Sequence, residues 1–174
     1  MMNLPTARAS QRGFTLVELL IVVIILAILA AIVVPQFVAS TDDAKLAALD
    51  SNLRNFRSAI ALYRQEHNAF PGRTDSGLGG GGGDTEVDFI GQLTMYTDAA
   101  GDASATTDAT HTFGPYVTRS GMPADPIMNV ATVEVVGTVG GGTLPLVATG
   151  VAGGWKMDAI TGQFVMNHTS YDDH

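Results

Sequence analysis

The first feature of the chain is a long apolar segment near its N-terminus. Residues 14–36 contain a single ionisable side chain, that of Glu18, and residues 19–34 are apolar without a break. This length is close to the ~20 residues that a helix needs to span a bilayer. Because positive charge stays in the cytoplasm, Arg8 and Arg12 ahead of the segment predict that the N-terminus stays inside and that the remainder is exported.

The residues after this segment have the pattern of an amphipathic helix. Between residues 37 and 68, apolar side chains recur at alternating intervals of three and four, which places them on one helical face. They are Leu46, Leu49, Leu53, Phe56, Ile60 and Tyr63. This face is predicted to pack on a core, because the charged residues lie mostly elsewhere on the helix. One helix would then run from Phe14 to about His67, with a local distortion at Pro35, which lacks a backbone donor.

The third part of the chain, residues 69–174, is predicted to be a globular head with glycine-rich loops. Pro71 and Gly72 make continuation of the helix unfavourable. The elements predicted in the first part of the head are a short helix or turn at 87–95, an exposed loop at 99–112 and a valine-rich strand at 130–137. In the first of these, Phe89, Ile90 and Leu93 are expected to face inward.

The end of the head has the pattern of a β-hairpin. Residues 154–158 and 163–167 flank a short turn that contains a glycine. Trp155, Phe164 and Met166 of this hairpin are expected to contact the helix face that carries Phe56, Ile60 and Tyr63. The predicted fold class is therefore α+β, with one long N-terminal helix packed on a small antiparallel β-sheet.

Charge and composition narrow the functional classes. The formal net charge is −8, and removal of residues 1–13 would take away two of the nine basic residues and none of the 17 acidic ones. This balance argues against nucleic-acid binding through phosphate contacts. The chain has no cysteine, which excludes thiolate zinc sites and thiol catalysis. No enzymatic activity is predicted, because the four histidines are scattered and no serine lies in a nucleophile-elbow pattern.

Glu18 distinguishes three interpretations of the apolar segment. A secretory signal peptide does not need a helical pattern that continues beyond the segment. A plain membrane anchor explains the length but not a carboxylate, which costs roughly 2.5–3.5 kcal/mol within an apolar span. The third interpretation uses the run Arg12-Gly13-Phe14-Thr15-Leu16-Val17-Glu18. This run resembles the processing site of the type IV pilin and pseudopilin family.

The resemblance implies a pilin-like fold and a filament subunit. A prepilin peptidase would cut between Gly13 and Phe14, remove the leader 1–13 and methylate the Phe14 amine. Residues 14–36 would form the transmembrane and assembly helix, in which Glu18 and Pro35 match family positions, and 37–68 would pack on the head. The implied partners are other copies of the chain, other pilin-like subunits, membrane lipid and an inner-membrane assembly platform. The implied location is the bacterial inner membrane with a periplasmic head, followed by a periplasmic or extracellular filament.

The chemistry of Glu18 can also be considered without the resemblance. A cut at Gly13 creates a cationic amine on Phe14, and Glu18 lies four residues further, roughly 6 Å along a helix axis. Buried charges persist when they are paired. Because the two groups share one helix, an axially displaced neighbouring subunit is the better partner, and Glu18 is interpreted as an assembly-register residue. The alternative is a carboxylate that reaches the interface and has no role.

Two turns in the head carry a second resemblance. Gly114-Pro115-Tyr116 precedes Pro123-Ala124-Asp125-Pro126, an order that resembles the heads of type II secretion pseudopilins. The following residues depart from that pattern, since Ile127-Met128-Asn129 stands where Trp-Gly is frequent. Such heads bind calcium near the last hairpin, through aspartates and carbonyls. The candidate ligands here are Asp125, Asp158, Asp172 and Asp173, and the alternative is that they are solvated surface acids.

The sequence therefore predicts a structural subunit of a type IV pilus-like filament or of a type II secretion pseudopilus. A different class remains open, namely a monomeric, membrane-anchored exported binding module that has kept a pilin-like leader. That alternative predicts no need for Glu18 and no self-association of the helix. One further pattern, Asn167-His168-Thr169, fits an N-glycosylation sequon.

Overall fold

The computed structural model describes residues 13–74, 76–78, 83–118, 121–137, 145–150 and 153–171. The chain divides into two compact units, Met1–Asp43 and Ala44–His174. The predicted leader 1–13 lies outside the described residues apart from Gly13, and so do Asp172 and Asp173.

The main helix, α1, comprises Leu16–His67. It begins two residues after the predicted start at Phe14 and ends at the predicted residue. The helix is not interrupted at Pro35. Over Ala44–His174, α1 buries Leu49, Leu53, Phe56, Ile60 and Tyr63, while Leu46 is partly exposed. The predicted apolar face is therefore confirmed as the helical side of the head's core.

The core is completed by a three-stranded sheet with the order β3-β4-β5. Strand β4, Trp155–Asp158, and strand β5, Phe164–Met166, form an antiparallel hairpin. Trp155 and Phe164 lie against Phe56, with ring centroids 6.5 and 5.6 Å away. The predicted hairpin and its contact with α1 are confirmed.

The third strand, β3, comprises Val133–Val136 and pairs with β4 in parallel. The α+β class is confirmed, but this pair differs from the antiparallel arrangement expected throughout the sheet. A parallel pair needs a connection of a dozen or more residues. The connection between Val136 and Trp155 has that length, so the chain can return to the same end of the sheet before β4 begins.

The first part of the head contains the second helix, α2, at Glu86–Thr94. Thr85 caps it by accepting a hydrogen bond from the Asp88 amide at 3.1 Å. Phe89 and Leu93 of α2 are buried, as predicted, and Ile90 is partly buried. The region predicted as a loop contains strand β2, Ala103–Ser104, which pairs antiparallel with β1, Tyr96–Thr97.

Candidate assembly site

The N-terminal part of α1 presents an apolar surface that no described residue of its own unit covers. Leu16–Val34 is long and apolar enough to cross a membrane by length and composition, a test that a signal sequence near an N-terminus also passes. Its large apolar side chains are exposed from 42% at Val33 to 82% at Leu16. Apolar area of this extent favours transfer out of water by roughly 25 cal/mol per Å². Burial of the segment in lipid or against another apolar surface is therefore favoured.

Glu18 caps the first turn of its own helix. Its Oε2 accepts hydrogen bonds from the Thr15 backbone amide and from the Thr15 hydroxyl, both at 2.8 Å. The Thr15 hydroxyl in turn accepts from the Glu18 amide at 3.2 Å. This reciprocal arrangement is a capping box, in which a threonine and a glutamate three residues later satisfy each other's free backbone donors.

The capping box was not part of the sequence interpretation, although Thr15-Leu16-Val17-Glu18 carries its signature. It gives Glu18 a local role, because the helix N-terminus favours a negative charge. Both bonds use Oε2, and a carboxylate accepts about four hydrogen bonds. The carboxylate thus retains capacity for a further donor. The pairing of Glu18 with the Phe14 amine of a neighbouring subunit stays a prediction.

Gly13 and Phe14 lie just before α1 and are exposed. A Cβ added at Gly13 would meet no atom within 4 Å. Packing within the described part of the chain therefore gives no reason for a glycine at this position. An enzyme that binds this segment in an extended form would be one source of a requirement for glycine here.

Comparisons with known proteins agree with this geometry. Residues 8–34 match the model of the prokaryotic N-terminal methylation motif. The chain is 35% identical over 117 residues to the type IV major fimbrial protein FimA of Dichelobacter nodosus, which covers 62% of this chain and 73% of FimA. The chain belongs to the type IV pilin-like family.

Other relatives of this pilin-like chain match over shorter regions. It is 41% identical over 71 residues to the type II secretion system core protein G of Pseudomonas aeruginosa, covering 41% of this chain and 49% of that protein. It is 45% identical over 60 residues to the type IV narrow pilus major component PilA5 of Thermus thermophilus, covering 34% and 52%. The chain thus spans about half the length of several curated relatives that it matches. No solved structure matches it significantly.

The head of this pilin-like chain places the calcium candidate Asp125 in a cradle of amides. Its Oδ1 accepts hydrogen bonds from the backbone amides of Ile127 at 3.0 Å and Met128 at 2.6 Å. Its Oδ2 accepts from those of Val130 at 3.0 Å and Gly154 at 2.9 Å. Burial alone would raise the pKa of Asp125, but these four hydrogen bonds bring the pKa below its usual value.

The second candidate, Asp158, lies at the end of β4, three residues after Trp155 and thus roughly 10 Å along the strand from its start. Its Oδ1 accepts from the amides of Ile160 at 2.8 Å and Thr161 at 3.1 Å. Within the described ranges, no group of three or more acidic or histidine side chains could hold a metal ion. Calcium binding by this chain stays a prediction, and Asp125 does not fit it.

The sequon residue Asn167 is engaged in a polar network on the sheet. Its Nδ2 donates to Glu134 Oε2 at 2.9 Å, and its Oδ1 accepts from the Thr149 amide at 2.9 Å. Glu134 also lies 3.4 Å from the Nζ of Lys156, a residue that is almost fully buried. The Asn167 side chain therefore joins the segment around Thr149 to the end of β5, which is a structural role. Glycosylation of Asn167 would require its side-chain amide to leave these hydrogen bonds.

Proposed function

We propose that this protein is a structural subunit of a type IV pilus-like filament or of a type II secretion pseudopilus. In this proposal a prepilin peptidase cuts between Gly13 and Phe14 and methylates the Phe14 amine. The subunits then polymerise through the N-terminal part of α1. The observation that carries the proposal is the exposed apolar surface of Leu16–Val34, which is interrupted only by Glu18.

The proposal explains how this surface is covered at each stage. Before assembly, lipid of the inner membrane surrounds the segment, with the head on the periplasmic side, as Arg8 and Arg12 favour. After assembly, other copies of the same helix and helices of related subunits surround it. An inner-membrane assembly platform would move the subunit from the membrane into the filament. In this proposal the protein is a structural subunit and not a catalyst.

Glu18 gives the assembly a defined register. A carboxylate in an apolar environment is costly unless it is paired, and breaking a buried pair leaves an uncompensated charge. A neighbouring subunit that is displaced along the filament axis can bring its Phe14 amine to the Glu18 carboxylate. Other registers leave both charges unpaired, so this single pair disfavours them.

The test separates this pairing from the capping box. Glu18→Gln removes the charge but keeps an acceptor for the Thr15 amide, since glutamine also serves in capping boxes. Thr15→Ala keeps the charge and removes the hydroxyl of the cap. We expect Glu18→Gln to abolish filaments while the subunit still accumulates in the membrane, and Thr15→Ala to retain most of the filament yield. The readout is the sheared filament fraction against the membrane fraction.

Normal filament yield for Glu18→Gln would refute the register role. Cysteine cross-linking then addresses the monomeric alternative, because the chain has no cysteine of its own. Cysteines introduced at Phe14 and at Leu19 of one chain should give intermolecular products in membranes that contain the assembly machinery. If only monomers are recovered under oxidising conditions, the membrane-anchored monomeric module becomes the better description.

A further inference from the structure

The turn around Asp125 surrounds a carboxylate with backbone amides. Asp125 is only 1% exposed, and each of its two carboxylate oxygens accepts two backbone N–H groups. An ionised carboxylate has about four lone-pair sites, so its accepting capacity is filled. The turn is closed further by the backbone of Asp125, whose N–H donates to the Val130 carbonyl at 2.8 Å and whose carbonyl accepts from Asn129 at 3.0 Å.

The same four N–H groups disfavour a cation at this carboxylate. Their hydrogens converge on the oxygens, so a calcium ion approaching from those directions would meet the positive ends of four peptide dipoles. Calcium needs six to eight oxygen ligands in its shell. Asp125 could contribute a ligand only if at least one amide gave up its acceptor inside a buried turn, which costs about as much as a lost hydrogen bond.

The approach of β4 to this carboxylate depends on two glycines. Gly153 and Gly154 have φ values of +83° and +82°, a region that other residues rarely adopt. A Cβ on Gly153 would lie 3.0 Å from Asp125 Oδ2 and 2.5 Å from the Cβ of Met128. The backbone thus comes close enough for the Gly154 amide to reach the carboxylate, and the next residue, Trp155, enters the core.

We infer that Asp125 is an intramolecular anchor that joins the 125–130 turn to the start of β4 through amide hydrogen bonds. The resemblance to secretion pseudopilins had implied a calcium ion near this hairpin instead. The carboxylate links segments that are 29 residues apart in sequence, as a bound metal ion would. This inference concerns the head alone and is independent of the proposed filament function. It assigns Asp125 a positioning role, with Trp155 as the residue that it positions.

The test compares two aspartate-to-asparagine variants of the full chain in detergent micelles. Asp125→Asn keeps the shape but has a single acceptor oxygen, and its NH₂ group would face two of the four N–H donors. Asp158→Asn is the matched control, because Asp158 is equally buried and its amide hydrogen bonds all use Oδ1, which asparagine retains. We expect Asp125→Asn to lower Tm by roughly 10 °C or more and Asp158→Asn to lower it by only about 3 °C.

Each melting curve is recorded with calcium chloride and with EGTA. If Asp125 is an anchor, Asp125→Asn should lower Tm by the same amount in calcium chloride and in EGTA. A rise in Tm with calcium that is retained in Asp125→Asn agrees with the inference, since it places the cation away from Asp125. A calcium-dependent rise that disappears in Asp125→Asn would overturn it, as would an Asp125→Asn variant that melts like Asp158→Asn.

Hydrogen exchange on the unmodified chain keeps the inference testable if Asp125→Asn does not fold. The amides of Met128 and Gly154 should be protected from exchange in EGTA, because both donate to the Asp125 carboxylate. Exchange at unprotected rates in EGTA, with protection appearing only after calcium is added, would show that a metal and not the carboxylate closes the turn.

Discussion

Phe164 is the residue whose removal should destabilise the head most directly. Its side chain is 1% exposed, and its ring centroid lies 5.5 Å from that of Trp155, 5.6 Å from Phe56 and 5.9 Å from Phe89. It is therefore the point where β4, α1 and α2 meet through aromatic contacts. Phe164→Ala removes the whole ring, and Phe164→Leu retains apolar volume but removes the ring pairs.

The magnitude follows from these contacts. A buried Phe→Ala change costs about 3–5 kcal/mol. Each aromatic pair contributes about 0.5–1.5 kcal/mol beyond area burial, so the loss of three pairs gives roughly 2–4 kcal/mol for Phe164→Leu. Since a domain has about 5–15 kcal/mol of total stability, Phe164→Ala removes a large share of it. At roughly 3 °C per kcal/mol for a chain of this size, Tm should fall by about 10–15 °C.

The assay is thermal unfolding of the full chain in detergent, followed by fluorescence. Trp155 is the single tryptophan of the chain, and its ring is stacked at 18° on that of Phe164, so its emission reports this contact directly. Val147→Ala is the control, because Val147 is exposed and its truncation should change stability by less than about 0.5 kcal/mol. The packing argument fails if Phe164→Leu and Val147→Ala melt at the same temperature.

Two further predictions concern pH and a turn. Burial alone would raise the pKa of Asp88, but hydrogen bonds from Thr85 and Ser76 hold that pKa below its usual value. Burial would likewise raise the pKa of Glu134, but a hydrogen bond from Thr149 and the charge of Lys156 hold it below its usual value. The pKa of Asp125 is also lowered. The stabilisation that these carboxylates give the folded state is therefore complete above the unfolded pKa near 4 and is lost as the pH falls below it. Tm should be constant from about pH 7 to 5 and fall steeply towards about pH 3. A Tm that stays constant to pH 3 would contradict this. Gly162→Ala should cost about 2 kcal/mol or more in chemical denaturation, because φ is +78° and the Phe70 ring occupies the space of a Cβ. Gly121→Ala, where a Cβ would meet nothing within 4 Å, should be close to neutral, and equal losses in the two variants would refute the argument.

The features that sequence predicted well are those with a local period. The alternation of three and four from Leu49 to Tyr63 identified the buried face of α1, because every turn of a helix repeats the same orientation. The final hairpin was predicted because its strands are joined by a short turn. The run around Gly13 and Glu18 identified the family, which the similarity to FimA confirms together with the match over residues 8–34.

The features that were missed depend on partners far apart in sequence or on very short elements. The direction of β3 is set by its pairing with β4 after a long connection, which no local pattern encodes. Strands β1 and β2 have two residues each and leave no periodic signal. The hydrogen bond from the Gly154 amide to Asp125 joins positions 29 residues apart, so no local pattern indicates it, and calcium binding by this chain stays a prediction.

The contact between α1 and the final hairpin has a mechanical consequence for any filament built from this chain. The side of α1, rather than its tip, lies against the sheet, with Phe56 on two aromatic rings and Arg57 Nε donating to the Phe164 carbonyl at 3.0 Å. Tension along such a rod would load these contacts in shear, so that they share the force and yield together instead of peeling apart one at a time. The force needed to slide α1 along the sheet would then grow with the number of side chains in this contact.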